Sequence, residues 1–437
     1  MYIYEEEIEI PAIPDHLDLL DYLRQTVAER LKGQLLPVRF TITETRRDSY
    51  KCELGVIADI LEPTIQHTCS IFDFQKRASV NNSAFNVVLL IPTGIGSTIG
   101  GHAGDANPVA KLLASACDTL ITHPNVVNAS DINELPDNGL YVEGSIISRL
   151  MMGTIGLQPV RANRVLAVVN AHPDKYFTDA VINTVSAARA SCGLDCPQVI
   201  ELNPPVVLES LYASSGRAVG RVSQLESLTD VMDQYQGSYD AVAISTQIDM
   251  PINYHTDYYL QRGDMINPWG GVEAIFTHSI SSIYDVPTAH APLDATRDIA
   301  NLELGVVDPR MAAEIISSAY FLCVLKGLQR APKIIKDIRF QIPPGILSVA
   351  DVSCLVIPDG CIGLPTLAAL EQGIPVIAVR ENKNIMKNNL SELPWQSGQL
   401  HIVENYWEAV GVMSALKAGV LPASVRRPLS DTTLLEN

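Results

Sequence analysis

Basic residues are scarce in this chain. Its 437 residues include 31 Lys and Arg against 49 Asp and Glu, which gives a formal net charge of −18 at pH 7. A surface of this sign repels the phosphates of nucleic acids and the head groups of anionic lipids. We therefore expect neither a nucleic acid nor a membrane among its partners.

Long apolar runs and a cysteine framework are also missing. No apolar run approaches the roughly 20 residues that a membrane-spanning helix needs, and residues 1–7 lack the basic start and apolar core of a signal peptide. The eight cysteines are scattered, and only Cys192 and Cys196 are close neighbours. Two thiols are too few for a structural zinc site. These absences predict a cytoplasmic protein with reduced cysteines.

The composition is typical of a globular protein with a well-buried core. Hydrophobic residues make up 47% of the chain and charged residues 18%. Residues 1–82 predict a small α+β domain at the N-terminus: a strand over 2–10, a helix over 15–31, and two strands within 38–56 joined by a polar turn. This domain shows no chemical role in its sequence.

Residues 83–437 repeat strand, loop and helix. This pattern predicts an α/β fold with a doubly wound, mainly parallel sheet or sheets, which could divide into two lobes near 155–223. The predicted strands cover 86–91, 118–122, 164–170, 197–202, 239–245, 286–291, 353–357 and 375–379. The predicted helices cover 107–117, 176–191, 224–234, 270–283, 308–327 and 364–372, with Asp308 as the N-cap of the helix over 308–327.

The most informative segment is the glycine-rich loop 93–106, between a predicted strand and a predicted helix. Its five glycines fall within eleven positions, an arrangement that brings backbone N–H groups close to a ligand. A Walker A loop is excluded, because His102 and Ala103 stand where lysine and a hydroxyl are needed. A dinucleotide loop is disfavoured, because the next strand ends in His123 rather than in an acid. The loop predicts a site for one phosphate or carboxylate and identifies no cofactor.

Two side chains of this loop can do chemistry. His102 and Asp105 lie three residues apart and could form an acid–base pair or ligate a metal ion. The structural alternative is that Asp105 caps loop amides and His102 hydrogen-bonds a carbonyl group. The loop residues expected to contact a ligand are Thr93, Gly94, Gly96, Ser97, Gly100 and Gly101.

Polar side chains recur at the ends of other predicted strands, where the ligand site of an open α/β sheet lies. Capping or turn chemistry explains each cluster alone, but their recurrence favours a shared site. The candidates for catalysis are His290 and Glu143. The candidates for binding are His123, Asn125, Asn128, Asn267, Trp269, Glu273 and Asp359.

Segment 356–379 is a second strand–glycine–helix–strand unit. It resembles the sugar-nucleotide half of two-lobed glycosyltransferases and nucleotide-sugar epimerases. The acidic residue that those enzymes use on the ribose is not clearly in register here.

Four segments together resemble a bacterial family that is frequent in cyanobacteria and known as domain of unknown function 3326. They are IPTGIGSTIGGHAGDANP at 91–108, THPNVVNASDINE at 122–134, NPWGGVEAI at 267–275 and PTAHAP at 287–292. The resemblance covers most of residues 85–400. It implies a bacterial protein whose distinctive residues are those named above, and it carries over no catalytic residues.

We expect a soluble protein that binds a small molecule and acts as an enzyme on an anionic or carbonyl-containing metabolite. Loop amides would hold the substrate oxygen as in an oxyanion hole. His102 or His290 would be the general acid or base, oriented by Asp105 or Glu143. Two alternatives stay open: a non-catalytic metabolite sensor or assembly subunit, which could be a homo-oligomer, and a sugar-nucleotide-dependent transferase or epimerase. The sequence identifies neither the substrate nor a cofactor or metal ion.

Overall fold

The structure is a computed structural model. It describes residues 1–13, 19–28, 31, 35–60, 70–251, 253–261, 265–336, 338, 343–429 and 431–434. The strands and helices of this part of the chain form a mixed α/β fold, which confirms the predicted fold class.

The described strands are numbered in chain order. They are β1 (Tyr2–Pro11), β2 (Leu35–Thr45), β3 (Ser49–Ala58), β4 (Asn86–Leu89), β5 (Thr119–Thr122), β6 (Asn128–Ala129), β7 (Ile132–Asn133), β8 (Gly139–Tyr141), β9 (Gly156–Gln158), β10 (Val165–Asn170), β11 (Val199–Leu202), β12 (Val207–Tyr212), β13 (Ala218–Ser223), β14 (Ala241–Thr246), β15 (Ile248–Asp249), β16 (Thr288–Pro292), β17 (Lys333–Ile335), β18 (Val352–Pro358), β19 (Ile362–Gly363), β20 (Val376–Val379) and β21 (Leu400–Val403).

The described helices are numbered in the same way. The α-helices are α1 (Leu19–Ala28), α2 (Asn107–Ala114), α3 (Pro124–Val127), α4 (Gly144–Met151), α5 (Lys175–Cys192), α6 (Glu226–Gln234), α7 (Tyr254–Leu260), α8 (Gly270–Tyr284), α9 (Arg297–Ala300), α10 (Phe321–Gln329), α11 (Leu364–Gln372) and α12 (Tyr406–Lys417). Short 3-10 helices cover Ala312–Glu314, Val349–Asp351, Leu390–Glu392 and Pro422–Val425.

The largest parallel sheet has six strands in the order β8-β5-β4-β18-β20-β21. All neighbouring strands are parallel. Counted along the chain, this order reads third, second, first, fourth, fifth and sixth, which is the strand order of a doubly wound sheet. The order reverses between β4 and β18, and the crevice outside their carboxyl ends is the expected ligand position. The glycine-rich loop 93–106 follows β4 and therefore lies at this reversal.

A second parallel sheet is built from the middle of the chain. Its order is β11-β10-β14-β16, and its neighbours are again parallel. The chain leaves the six-stranded sheet after β8, forms this four-stranded sheet, and returns to the first sheet at β18. The predicted division into two lobes near 155–223 stays a prediction.

The third sheet combines strands from distant parts of the chain. Its order is β15-β12-β13-β1-β3-β2-β19, and its pairs are antiparallel except for β12 with β15. The predicted strands of the first 58 residues are confirmed, and they share this sheet with β12 and β13. The predicted helix over 15–31 is confirmed over Leu19–Ala28, while 14–18 and 29–30 lie outside the described residues.

Helix α8 packs against two of the sheets and against helix α4. It contacts β1, β2, β12 and β13 of the antiparallel sheet, β16 of the four-stranded sheet, and helix α4. Most of its residues are buried, as expected for a helix that is covered on several sides. Side chains on different faces of α8 therefore reach different layers of the molecule.

The predicted helix over 308–327 is wrong. The structure has a 3-10 turn at Ala312–Glu314 and begins an α-helix only at Phe321. Asp308 does not start an α-helix; its carboxylate accepts hydrogen bonds from the backbone and side chain of Arg310, and the chain forms only a local turn there. Glu314 is held by tertiary contacts, which override the local helical pattern. The other predicted helices agree with the structure to within a few residues.

None of the helices within the described residues combines the length and apolarity that crossing a membrane requires.

Candidate functional site

A cavity of about 430 Å³ lies where the three sheets meet. The six-stranded sheet contributes Thr93 after β4, His123 after β5 and Glu143 after β8. The four-stranded sheet contributes His290 of β16, and the antiparallel sheet contributes Arg39 of β2. A cavity of this size at the reversal point of a doubly wound sheet is the first candidate for a small-molecule site.

The structure separates the predicted site residues into two groups. Those that line the cavity are Thr93, His123, Asn125, Asn128, Glu143, Asn267, Trp269, Glu273 and His290. Those that lie outside its lining are Gly94, Gly96, Ser97, Gly100, Gly101, His102, Asp105 and Asp359.

The glycine-rich loop is folded on itself rather than open to the cavity. The glycines with positive φ are Gly94, Gly96, Gly100 and Gly104. The Gly100 amide donates to Asp105 at 2.7 Å, and the Ala103 amide donates to Glu314. These two amides already have acceptors in the protein, and an oxyanion-hole role of the other loop amides stays a prediction. The glycines with positive φ allow the tight turns of the loop.

His102 and Asp105 lie behind the cavity wall. His102 is 4% exposed, and its Nδ1 lies 2.6 Å from the Tyr258 hydroxyl. Burial lowers the pKa of His102 to about 4, so the ring is neutral at pH 7. Burial raises the pKa of Asp105 to about 7, although amides of Gly100 and His102 oppose this shift. Asp105 caps a loop amide, as the structural alternative expected, and His102 contacts a tyrosine hydroxyl rather than a carbonyl group. A catalytic role of this pair stays a prediction.

The hydroxyl group of that tyrosine contacts Glu314, a residue of the cavity wall that was not predicted from the sequence. The Tyr258 hydroxyl donates to Glu314 Oε1 at 3.1 Å, and the Ala103 amide donates to the same oxygen. Burial raises the pKa of Glu314 to about 8. Glu314 is therefore protonated at neutral pH and can donate a proton into the cavity.

Glu143 pairs with His278 on helix α8. Glu143 is the N-cap of helix α4 and accepts the Ser145 amide at 2.9 Å. Its other oxygen contacts His278 Nδ1. Burial raises the pKa of Glu143. Contacts with His278 and Ser145 lower this pKa by a larger amount, so it lies below its ordinary value. The His278 side chain is 16% exposed and the Glu143 side chain 4%. A histidine therefore faces the cavity with a carboxylate behind it.

His290 and Glu273 form a second carboxylate–histidine pair, in which the carboxylate rather than the histidine is the more exposed partner. Its Nδ1 lies 2.8 Å from Glu273 Oε1, and its Nε2 lies 2.9 Å from Thr246 Oγ1. The His290 side chain is 0% exposed and that of Glu273 is 23% exposed. Glu273 therefore faces the cavity and His290 holds it in place. The expected pairing of His290 with Asp105 or Glu143 is wrong, because helix α8 supplies the partner.

Several other wall residues use their polar atoms to hold the fold. His123 Nε2 accepts the Ile91 amide at 3.1 Å, and burial lowers the pKa of His123 to about 4. The Asn125 side chain donates to the carbonyl groups of Ile91 and Gly100. The Asn128 side chain donates to a tyrosine hydroxyl at 2.7 Å. These side chains shape the wall.

The wall near α8 is also held by capping and aromatic packing. Asn267 Oδ1 accepts the amides of Trp269 and Gly270 at the start of the helix. The Trp269 ring packs against Tyr258 with centroids 5.1 Å apart. Asp359 lies away from this wall and accepts the amide of the residue that follows it.

The family model described as "protein of unknown function (DUF3326)" matches residues 86–426. The chain belongs to this family. The match confirms the resemblance of the four segments quoted above. A relative from the cyanobacterium Synechococcus sp., described as an uncharacterised lipoprotein, is 34% identical over 352 residues, which cover 77% of this chain and 92% of the relative. No solved structure matches the chain significantly.

Within the described residues of this DUF3326 chain, no group of three or more His, Cys, Asp or Glu side chains is arranged to hold a metal ion.

The sequence missed several charged or titratable residues of the wall, and four of them enter the arguments below. They are Arg39, Arg217, His278 and Glu314. His278 lies within the predicted helix over 270–283, five residues after Glu273, and this helix was the available signal for it. Glu314 was hidden by the incorrect helix over 308–327. Arg39 belongs to β2 and Arg217 immediately precedes β13, and both reach the cavity wall only through the packing of the antiparallel sheet.

Proposed function

We propose that this protein is an enzyme that transfers protons on a small carbonyl-containing metabolite, with His278 as general base and Glu314 as general acid. The observation that carries this proposal is their arrangement in one cavity. A histidine backed by a carboxylate and a buried carboxyl group with neutral hydrogen-bond donors both line it.

Each group has the environment that its role requires. The Glu143 carboxylate lies beside His278 Nδ1 and would stabilise the imidazolium formed when His278 accepts a proton. Glu314 is held by the Ala103 amide and the Tyr258 hydroxyl, so it can donate its proton to a carbonyl oxygen that gains negative charge.

The two carboxyl groups differ in protonation for physical reasons that support this division. The pKa of Glu314 is raised by burial, whereas that of Glu143 is lowered on balance because its neighbours outweigh burial. Acids and bases of one active site are often separated in this way. Glu273, held by His290, adds a hydrogen-bond acceptor that would orient the ligand.

The test uses the purified protein and a metabolite extract of cyanobacterial cells, with consumption followed by mass spectrometry. We expect the wild type to consume at least one metabolite, and His278→Gln and Glu314→Gln to slow that reaction by about 100-fold or more. Glu404→Gln, which changes an exposed carboxylate, is the matched control and should keep the rate.

Two outcomes would contradict the proposal. If a metabolite stabilises the wild type against heat but is never consumed, the protein is a sensor rather than an enzyme. If the reaction proceeds at an unchanged rate in both variants, the base and the acid are other groups.

We further propose that the protein acts in the cytoplasm. The described cysteines are free thiols and most of them are buried, which suits a reducing compartment. The Synechococcus relative is named a lipoprotein, so cell fractionation of the native protein is the deciding measurement. Recovery in the membrane fraction would refute a cytoplasmic location.

A further inference from the structure

A cluster of buried charges lies where the antiparallel sheet meets the cavity. Arg217, immediately before β13, is 0% exposed and forms part of the cavity lining. Its Nη2 donates to Glu5 Oε1 at 2.8 Å, and its Nε donates to Glu53. Its third nitrogen, Nη1, is buried and has no hydrogen-bond partner in the described part of the chain.

An unpaired N–H group of a buried guanidinium needs an explanation. The group has lost its water and gained no partner, whereas buried polar groups in folded proteins are nearly always paired. Glu5 and Glu53 are not part of the cavity lining. They accept from Nε and Nη2 of Arg217, so Nη1 is the donor that these carboxylates leave unpaired beside the cavity wall.

Arg39 of β2 stands beside this group. Its Nη1 donates to Glu5 Oε1 at 2.7 Å, the same oxygen that binds Arg217. The remaining side-chain nitrogens of Arg39 make no hydrogen bond within the described residues. The Arg39 side chain is 13% exposed and also lines the cavity. Two guanidinium groups with spare donors thus share one part of the wall.

We propose that Arg39 and Arg217 form an anion subsite that binds a carboxylate or phosphate group of the ligand. Guanidinium N–H groups match the oxygen geometry of both anions. The chain carries a net charge of −18, and Glu5 and Glu53 balance the two arginines. The subsite would therefore hold an anion through directed guanidinium N–H donors rather than through net charge. The subsite rests on the proposed function in one respect, since it assigns an anionic substrate to the same cavity.

The test is isothermal titration calorimetry with two probes, succinate and inorganic phosphate, at constant ionic strength. We expect saturable binding of at least one probe to the wild type and a Kd at least tenfold higher for Arg39→Gln. Arg297→Gln is the matched control, because Arg297 also pairs with a carboxylate but lies on the surface outside the cavity. Its Kd should equal that of the wild type. The probe that binds more tightly identifies the anion.

The subsite is refuted if neither probe binds the wild type, or if Arg39→Gln changes the Kd less than tenfold. Glu5 keeps its bond to Arg217 in this variant, so we expect it to fold. If it does not, Arg39→Lys retains the positive charge and loses the forked donors. An unchanged Kd in that variant would refute the subsite equally.

Failure of the subsite and failure of the enzyme proposal can be told apart. Glu314→Gln should abolish turnover and retain binding of the probe anion. Anion binding without turnover in the wild type would refute the enzyme proposal alone. Turnover that depends on Glu314, without anion binding at Arg39, would refute the subsite alone.

Discussion

Glu314 offers the sharpest test of the site, because its protonation state changes the stability of the protein. Glu314→Gln retains an oxygen acceptor for the Ala103 amide and the Tyr258 hydroxyl. The amide side chain cannot ionise. The variant therefore imitates the protonated carboxyl group at every pH.

The sign of the effect follows from proton linkage. The pKa of Glu314 rises from its ordinary value of 4.5 in the unfolded chain to about 8 in the folded protein. Between these values the folded state holds a proton that the unfolded state has lost, so wild-type stability falls as the pH rises. A tenfold change in proton affinity is worth about 1.4 kcal/mol, and the full shift is worth about 5 kcal/mol.

The assay is urea unfolding followed by circular dichroism from pH 5 to pH 9. Near pH 5 the wild type and Glu314→Gln should have similar free energies of unfolding. The variant should become more stable than the wild type as the pH rises, by several kcal/mol near pH 8. Asp105 and Asp294 also have raised pKa values because of burial, but they are present in both proteins. The difference between the two proteins therefore isolates Glu314.

Two results would refute this reasoning. If Glu314→Gln is less stable than the wild type by the same amount at every pH, the native carboxyl group is ionised. If both proteins lose stability equally between pH 5 and pH 8, other groups cause the pH dependence. Glu404→Gln provides the control for removing an exposed carboxylate from the surface.

Three further substitutions test local packing and buried charge. Gly270→Ala would place a Cβ 1.8 Å from Thr93 Oγ1 and should destabilise the protein by about 2–3 kcal/mol. Gly411→Ala, in a helix where the new Cβ meets nothing within 4 Å, should stabilise the protein by about 0.5–1 kcal/mol. A melting temperature equal to that of the wild type would contradict either prediction. Glu53→Gln leaves buried Arg217 without one of its carboxylates and should lower the free energy of unfolding by about 3 kcal/mol. A decrease below about 1 kcal/mol in urea unfolding would contradict this prediction.

The sequence predicted most elements of the two parallel sheets but missed β8 and β21 as strands. Helix α11 has its predicted bounds of 364–372, and the predicted strand over 164–170 differs by one residue from β10. Short β-branched runs between turn residues are local patterns, so they can be recognised without tertiary information. Placing the site at the ends of these strands also located much of the cavity wall.

The sequence failed where a residue's role depends on a distant partner. Glu53 and Arg217 are 164 positions apart, and they meet because β1 joins β3 to β13 in one sheet. His278 and Glu143 meet because helix α8 packs against α4. No local pattern contains such pairs, so the chemical partners inside the cavity could not be predicted.

The glycine-rich loop 93–106 shows both sides of this division. Its composition determined a tightly turned loop at the end of β4, because glycines with positive φ permit turns that other residues resist. The acceptors of its amides were decided by the tertiary structure, which brings Glu314 to Ala103 from a distant part of the chain. Local conformation follows from neighbouring residues, whereas the partner of a buried polar group depends on how distant strands and helices pack.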